Sequence, residues 1–380
     1  MTAAAHRPDE VPPPTDPARR FAALRGCDRI LSGAPPRTLR ERLAALAEGA
    51  EELYDLDEGP DFYGNGIVRA LERRVAGLLG LPEAVYFPTG TMAQQAALQY
   101  WADGAGRTVA MHPLAHPEVH EHRAYSVLSG LRTVWPTSAP RLPTAAELRS
   151  VGEPFITLML ELPLRDAGFV LPTWVELTAV VEEARRQGAF VHLDGARLWE
   201  SGPHFGRSLP EIVALADSVY VSCYKTLGGT SGALVAGDGE FAKGVRIWRH
   251  RYGGRLFQQW PAVLTALAGL ENELPRLDSY VANAKAVAAA LAEVPGGRVN
   301  PDPPHTHQFQ FWLPYPAEAL NRANVRLAEE QGVGLFGTWD EPGPLPGFSM
   351  TEVTASAAAL DWTPREVTEA VALFLEFAQV

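Results

Sequence analysis

The sequence has little cysteine, no long apolar run and no excess of positive charge. Its two cysteines, Cys27 and Cys223, are too few for a disulfide framework and favour a reducing compartment, the cytoplasm. No apolar run reaches the roughly eighteen residues of a membrane span, and no apolar segment follows a charged N-terminus, so we predict neither a membrane helix nor a secretory signal. The formal net charge of −12 argues against nucleic acid as a partner, because nucleic-acid binding needs clustered basic residues.

Lysine is scarce as well, since only three of the 33 lysines and arginines are lysines. Lys225 follows the alternating, β-branched run 218–224 and precedes a small-residue turn, a pattern that predicts a buried strand ending in a loop. Burial disfavours the ammonium form, so a partly neutral Lys225 could attack an aldehyde. Lys243 and Lys285 lie in helical patterns and are predicted to be solvated. The alternative for Lys225 is a lysine that merely caps the end of a strand.

Short apolar runs alternate with amphipathic ones between residues 63 and 238. This alternation predicts crossover units and an α/β fold, with a mainly parallel seven-stranded sheet covered by helices. The predicted strands are Ala84–Phe87, Thr108–Met111, Arg132–Trp135, Phe155–Leu162, Phe190–Leu193, Ser218–Cys223 and Ala233–Ala236. The predicted helices are Thr91–Trp101, Ala145–Ser150, Trp174–Gln187, Leu209–Ala216, Ala317–Gln331 and Pro364–Ala378. A strand is also predicted at Gln308–Leu313, after a helical connection over residues 259–294 that is broken near Pro275.

Changes in composition divide the chain into four predicted segments. Residues 1–20 are proline-rich and predict a disordered leader, and residues 21–57 predict a helical segment. Residues 58–258 form the predicted large domain, which carries most candidate site residues. Residues 259–380 are predicted to form a linking helix and a smaller α+β C-terminal domain.

Candidate ligand-binding residues lie where predicted strands end, because ligands of open α/β sheets bind beyond the carboxyl ends of the strands. Gly90 and Thr91 open a helix, where free backbone N–H groups favour a phosphate; a glycine turn with a threonine cap is the plainer alternative. Asp194 ends another strand and could pair with a protonated ring nitrogen. Arg197 could bind a phenolate or a carboxylate, and the alternative for both is a helix cap with a local ion pair.

Together with Lys225, these positions correspond to the three attachment points of pyridoxal phosphate. The aldehyde of the cofactor needs a lysine, its pyridinium needs a carboxylate, and its phosphate needs a helix N-terminus. The imine allows a carbanion to form, the protonated ring holds the electrons, and the phosphate anchors the cofactor. We therefore predict pyridoxal phosphate as the cofactor.

Over about residues 55–270 the chain resembles the threonine aldolase / β-eliminating lyase family of fold-type-I pyridoxal-phosphate enzymes. The segments that carry the resemblance are Asp61–Gly64, Leu71–Gly80, Pro88–Ala93, His192–Arg197 and Lys225–Gly228. The resemblance implies that Gly90 and Thr91 hold the phosphate and that Asp194 pairs with the ring nitrogen. It also implies that Arg197 contacts the oxygen side of the ring and that Lys225 forms the Schiff base.

The family also stacks a histidine on the cofactor ring, near the substrate. The segment Met111–His122 supplies four candidates. Counting to a following glutamate, as the family pattern requires, selects His116 with Glu121. The resemblance therefore implies that His116 binds the cofactor and takes part in catalysis.

The same histidines allow a second interpretation, a metal site. His112, His116 and His120 have helical spacing, but Pro113 and Pro117 interrupt a continuous helix. No second ligand cluster is evident, so we predict that the protein has no metal.

The sequence departs from the family at the substrate end. Leu164 stands where the family has a histidine close to the substrate hydroxyl, and Tyr224 stands where a serine normally precedes the lysine. The N-terminus lacks the family's arginine-serine-aspartate-threonine segment. The arginine that grips the substrate carboxylate has no counterpart in Phe348–Thr354.

Arg165 and Arg255 are candidate substitutes for the missing carboxylate-binding arginine, and Tyr63 is a third candidate substrate-binding residue. The alternative for Arg165 is a pair with Asp166 on a surface loop. The alternative for the aromatic segment 250–260 around Arg255 is subunit packing.

The resemblance implies a lyase of the threonine aldolase type that cleaves the Cα–Cβ bond of a β-hydroxy-α-amino acid, with His116 or a water as base. The missing histidine leaves open β-elimination, transfer between aldehydes, or a cofactor-binding protein with little turnover. A nucleotide-dependent oxidoreductase is poorly supported, because Thr89–Thr91 lacks the dinucleotide spacing. The expected partners are an amino-acid substrate and further copies of the chain, in a homodimer or homotetramer with the site at the subunit interface.

Overall fold

The computed structural model describes residues 16–103, 106–343 and 345–379. Within these residues the strands β1 to β12 are Arg29–Ile30, Glu83–Phe87, Thr108–Ala110, Arg132–Val134, Thr157–Glu161, Phe190–Gly195, Ser218–Ser222, Ala233–Gly237, Arg298–Asn300, Gln308–Leu313, Val333–Gly334 and Ser349–Thr354. The helices α1 to α15 are Pro17–Arg25, Leu39–Leu53, Ile67–Leu79, Gly90–Ala102, His116–Val119, Ala124–Ser129, Ala145–Arg149, Trp174–Arg186, Gly202–Phe205, Leu209–Val213, Gly239–Arg251, Trp260–Asn272, Leu277–Ala292, Ala317–Gln331 and Pro364–Ala378. None of the helices in these ranges is long and apolar enough to span a membrane.

The chain divides into two compact units at positions that differ from the predicted domain boundaries. The large unit comprises residues 41–278, and the small unit comprises residues 16–40 together with 279–379. The N-terminal segment belongs to the small unit because β1 pairs in parallel with β11. Two-residue strands paired across the whole chain leave no periodic signal in the sequence.

The ends of the predicted segments also differ from the structure. Residues 1–15 of the predicted leader lie outside the described residues, but residues 17–20 are helical, since Asp16 caps α1 and Pro17 occupies its first turn. Helix α12, which we assigned to the linking segment, packs on α3 inside the large unit.

The large unit is built on a seven-stranded sheet, as predicted, in the order β2-β8-β7-β6-β5-β3-β4. Strand β8 pairs antiparallel with both of its neighbours, whereas β3 to β7 pair in parallel. All seven predicted strands are present. Every residue of β5, β7 and β8 is buried, which explains the uninterrupted apolar run in the middle of each strand.

Helices cover this sheet and begin at clear capping signals. Thr173 and Glu176 form a reciprocal capping box at the start of α8. Thr89 caps α4. The buried alanines of α4 pack directly against Val85 and Phe87 of β2. Small side chains on α4 therefore let the helix lie close to the strands that carry the candidate site.

The small unit contains the antiparallel sheet β12-β10-β9 with helices α14 and α15. The predicted strand at Gln308–Leu313 and the predicted helices at Ala317–Gln331 and Pro364–Ala378 are confirmed. Phe311, Phe336, Trp339 and Phe374 form the aromatic part of its core, with ring centroids 5.2–6.1 Å apart. This unit is thus held together by apolar packing.

Candidate active site

The carboxyl ends of β5, β6 and β7 lie side by side, because the three strands are parallel neighbours. Glu161 at the end of β5 is in register with Asp194 on β6, and Asp194 is in register with Tyr220 on β7. The turn that follows β7 carries Lys225. Three chemically active side chains therefore meet at one edge of the sheet, which is where open α/β sheets bind ligands.

Lys225 is held in a tight turn and is largely enclosed. Its backbone N–H donates to Ser222 Oγ over 3.2 Å. Burial lowers the pKa of Lys225, and the charge of Arg197 lowers it further. Lys243, by contrast, is exposed and pairs with Glu240 at 2.6 Å, and Lys285 is also exposed. The sequence-based distinction between Lys225 and the other two lysines thus agrees with the burial of all three.

Asp194 is buried beside this lysine, with about 1% of its surface exposed. One of its oxygens accepts a hydrogen bond of 3.1 Å from the backbone N–H of Ala196. Burial raises the pKa of Asp194, and the charges of Lys225 and His116 act in the opposite direction. A buried carboxylate of this kind is stabilised by a cation placed against it, such as a protonated ring nitrogen.

His116 begins the short helix α5 at the same edge. Its backbone N–H donates to Glu161 Oε2 over 2.8 Å, and its ring Nδ1 lies 3.1 Å from Glu121 Oε1. Burial lowers the pKa of His116, but the hydrogen bond to Glu121 and the charge of Asp194 outweigh it, and the net shift is upward. The glutamate that selects His116 in the sequence therefore also contacts its ring, and this contact fixes the orientation of the ring.

Two buried carboxyl groups of the site were not among the predicted site residues. Glu161 accepts the two backbone hydrogen bonds of His116 and Arg165, and burial together with the charge of Asp194 raises its pKa to about 7. Glu200 is fully buried and accepts hydrogen bonds of 3.0 Å from the hydroxyl of Thr226, the residue after Lys225. A glutamate at the end of a fully apolar strand is the sequence signal that identifies Glu161. Glu200 has no such signal.

Arg197 and the first turn of α4 are the remaining candidates for binding the cofactor. The Arg197 guanidinium lies over the ring of Phe169 at 5.2 Å. The hydroxyl oxygen of Thr89 accepts a hydrogen bond from the backbone N–H of Met92. The backbone N–H groups of Gly90 and Thr91 belong to the first turn and therefore have no carbonyl partner within the helix. A Cβ at position 90 would overlap the hydroxyl of Tyr220, so the buried tyrosine lies closely against the start of α4 only because residue 90 is glycine.

The loop after β5 carries Arg165 and the substituted Leu164. Leu164 is fully buried and forms a β-bridge with Val170, so its side chain belongs to the core of the loop. The guanidinium of Arg165 lies 3.4 Å from Asp166, the partner named in the alternative interpretation, and its charge also acts on Lys225. Arg165 is therefore both paired and close to the lysine.

Tyr63 and Arg255 lie together in a different group of side chains. The Arg255 guanidinium stacks over the Tyr63 ring at 5.1 Å, and the backbone N–H of Tyr63 donates to Phe257 over 2.9 Å. These contacts join the two candidates to each other rather than to Lys225. Phe62 and Phe257 extend this group, and both are about half exposed.

The histidines considered for a metal site are directed to different partners. His112 Nε2 lies 2.7 Å from the carbonyl of Ala139, and His120 Nε2 lies 2.8 Å from Asp166. Across the described residues no group of three or more histidines, cysteines or acidic residues is arranged to hold a metal ion.

Comparison with known proteins decides the family. The family description for beta-eliminating lyases matches residues 33–312, most of the chain. The chain belongs to the beta-eliminating lyase family. Its cofactor is accordingly pyridoxal phosphate, and it is a lyase with the fold-type-I architecture.

Relatives of this beta-eliminating lyase point to aldolases. A putative aromatic amino acid beta-eliminating lyase/threonine aldolase from Exiguobacterium has 33% sequence identity and a TM-score of 0.85, over 95% of this chain and 99% of that one. A putative L-allo-threonine aldolase from Listeria monocytogenes has the same identity and TM-score, over 95% and 98%. Low-specificity L-threonine aldolase 1 of Arabidopsis thaliana is 29% identical over 61% of this chain and 68% of its own length.

The residues of the lyase fit this cofactor. The buried carboxylate of Asp194 suits the pyridinium, the unpartnered N–H groups at Gly90 and Thr91 suit the phosphate, and the enclosed amine of Lys225 suits the aldehyde. Each feature costs stability in a protein without a ligand, because it leaves polar groups buried and incompletely paired.

Proposed function

We propose that this protein is a lyase of the threonine aldolase type, which cleaves the Cα–Cβ bond of a β-hydroxy-α-amino acid into an amino acid and an aldehyde. The observation that carries the proposal is the enclosure of Lys225 beside Asp194. The ring of His116, which contacts the carboxylate of Glu121, interacts electrostatically with both residues. The names of its relatives from Arabidopsis and Listeria support the choice of an aldol cleavage.

Each side chain has a task that follows from its surroundings. When bound, pyridoxal phosphate supplies the electron sink for a pair of electrons released at Cα. Lys225, whose pKa is lowered by burial, exchanges protons more readily than a solvated lysine. Asp194 holds a positive charge at the ring nitrogen, and the N–H groups of Gly90 and Thr91 bind phosphate oxygens. His116 is oriented by its contact with Glu121 and contributes a ring for the face of the cofactor.

For substrate recognition we propose Arg165 as the residue that binds the α-carboxylate. Its charge acts on Lys225, and its backbone is fixed by the hydrogen bond to Glu161. Replacing Arg165 by leucine should raise KM for amino acids with less effect on kcat, measured by steady-state kinetics. An unchanged KM would remove Arg165 from this role.

We further propose that the protein is a cytoplasmic homodimer or homotetramer whose site lies at the subunit interface. The half-exposed rings of Phe62, Tyr63 and Phe257 support an interface, because grouped exposed aromatics are typical of protein contacts. The unpaired cysteines Cys27 and Cys223 support a reducing compartment. Analytical ultracentrifugation tests the assembly, and a monomer at micromolar concentration would contradict it.

The aldolase proposal is tested with purified protein, added pyridoxal phosphate and a set of amino acids that includes threonine, allo-threonine and phenylserine. We expect glycine and the matching aldehyde in equal amounts, measured by amino-acid analysis and aldehyde derivatisation. Lys225→Ala should abolish both products, whereas Lys243→Ala, at an exposed helical lysine, should not. Bound cofactor without any product would contradict the proposal.

Leu164 favours one second candidate, β-elimination from serine or another β-substituted amino acid. A buried aliphatic side chain at this position cannot exchange a proton with a substrate hydroxyl. Release of pyruvate and ammonia in place of glycine and an aldehyde would identify this reaction.

A further inference from the structure

His120 lies one turn beyond His116, at the C-terminal end of α5. The two ring centroids are 5.2 Å apart. On its other side, the Nε2 atom of His120 is 2.8 Å from Asp166 Oδ2 and 3.4 Å from the guanidinium of Arg165. His116 and Arg165 both interact electrostatically with Lys225. His120 contacts both of these residues and therefore lies close to the surroundings of Lys225.

The contacts of His120 determine which of its nitrogens carries the proton. One Nε2 atom cannot donate to Asp166 and accept from Arg165 at the same time. The carboxylate is the closer partner and accepts only, so Nε2 is the donor. The other nitrogen, Nδ1, then has its lone pair available, and it makes no hydrogen bond to any other described residue. About 37% of the side-chain surface is exposed, so a ligand can reach it.

A histidine oriented by a carboxylate is a common general base, since the carboxylate fixes the tautomer and stabilises the imidazolium that forms. His116 is paired with Glu121 in the same way, but the family resemblance assigns its ring to the face of the cofactor, so its free nitrogen is less well placed for the β-hydroxyl group. Leu164, which stands where the family has a histidine, contributes no titratable group. His120 and Asp166 form a partly exposed histidine–carboxylate pair next to His116.

We propose that His120, oriented by Asp166, accepts the proton of the substrate's β-hydroxyl group; this proposal rests on the aldol cleavage proposed above. The O–H bond breaks and its proton moves to Nδ1, while the O–H electron pair becomes the second bond of the aldehyde carbonyl. The Cα–Cβ bond breaks, and its electron pair stays with Cα. A proton is returned to Cα afterwards, so the reaction needs no oxidant or reductant.

The first experiment compares two reactions of the cofactor-loaded enzyme. His120→Ala should lower kcat for cleavage of a β-hydroxy amino acid by about a hundredfold or more. The same variant should exchange the Cα hydrogens of glycine for deuterium at the wild-type rate, measured by proton NMR, because glycine has no β-hydroxyl group. His122→Asn is the matched control, since His122 is exposed in the same segment and asparagine tolerates its positive φ of 50°. It should leave both rates unchanged.

The second experiment does not depend on activity. The ¹⁵N chemical shifts of the wild-type His120 ring should report an Nε2–H tautomer, which Asp166→Asn should shift towards Nδ1–H together with a fall in kcat. A wild-type Nδ1–H tautomer, or undiminished cleavage by His120→Ala, would overturn the proposal. Absence of cleavage by the wild-type enzyme would instead contradict the proposed function, and the tautomer measurement would still test the arrangement of His120.

Discussion

The two units differ in what they bury. At the strand ends of the large unit the buried groups are ionisable: Asp194, Glu161 and Glu200 lie within a few residues of strand ends, with Lys225 largely enclosed beside them. The core of the small unit is apolar, with aromatic rings packed among aliphatic side chains, and buried amides such as Asn321 and Asn324 are bonded to backbone carbonyls. Burying a charge costs far more than burying a paired amide. The difference indicates which part of the molecule is built for chemistry and which for stability.

The largest effect on turnover should come from replacing Lys225, because this residue belongs to the chemistry of the large unit and not to its stability. Lys225→Ala should lower turnover by roughly a thousandfold or more and remove the covalent link to the cofactor, because no other amine is enclosed there. Turnover is measured by glycine release and attachment by borohydride reduction with peptide mapping. Labelling of Lys243 or Lys285 instead would contradict the assignment of Lys225. Unchanged unfolding of the variant in urea would show that the loss of turnover does not come from a loss of stability.

Phe374 tests the other side of the comparison. Its fully buried ring packs against Phe336 at 5.3 Å and Trp339 at 6.1 Å. Phe374→Ala should reduce the free energy of unfolding by about 3–5 kcal/mol, because it leaves a cavity among aromatic rings. Urea denaturation followed by tryptophan fluorescence measures this loss. Below the unfolding transition, the rate of glycine exchange should stay close to that of the wild type.

Glu200 should make stability depend on pH in a way that an apolar core does not. Burial raises its pKa to about 8, against an ordinary value of 4.5, so the folded state binds a proton that the unfolded state releases. Stability from this group is complete below about pH 4.5 and is lost as the pH rises towards 8. Glu200→Gln keeps an acceptor for Thr226 but cannot ionise.

The measurement is the free energy of unfolding of the cofactor-free protein between pH 5 and pH 8. The advantage of Glu200→Gln over the wild type should grow steadily with pH. A constant difference would mean that Glu200 keeps an ordinary pKa.

The smallest effect should come from a helix cap of the large unit that lies outside the site. Thr173→Ala removes one half of the capping box of α8 and should cost about 1 kcal/mol of stability. The midpoint of thermal unfolding measures it, and kcat should not change. Thr173→Ser retains the hydroxyl and serves as control. A change in kcat would show that Thr173 affects the active site as well as the stability of α8.

The sequence was sufficient where signals are local. The short apolar runs predicted all seven strands of the large sheet, and the helix predicted at Pro364–Ala378 coincides with α15. The turn chemistry around Lys225 predicted its enclosure. The glutamate used to select His116 by the family pattern lies in the same short segment, and its carboxylate contacts the ring.

Features that depend on distant contacts were not predictable in this way. The proximity of His120 to Asp166 joins two loops 46 positions apart, and neither loop has a periodic pattern. The short helix α5 was missed because Pro113 and Pro117 suggested irregular structure. Glu200 was missed because an acidic residue in a short polar segment usually lies at the surface.

The reversed direction of β8 has a consequence for how this protein could change over time. Because β8 runs back along β7, one connection, residues 223–232, joins the two strands, and it is closed by the hydrogen bond of 3.0 Å from the backbone N–H of Cys223 to the carbonyl of Gly232. Lys225 lies in this connection, whose backbone is tied by a further hydrogen bond from Gly229 to Cys223, so we expect an insertion between residues 226 and 231 to displace Lys225. The crossover connections on the flanks of the sheet can lengthen without moving that amine, and we expect natural variation in length to accumulate there.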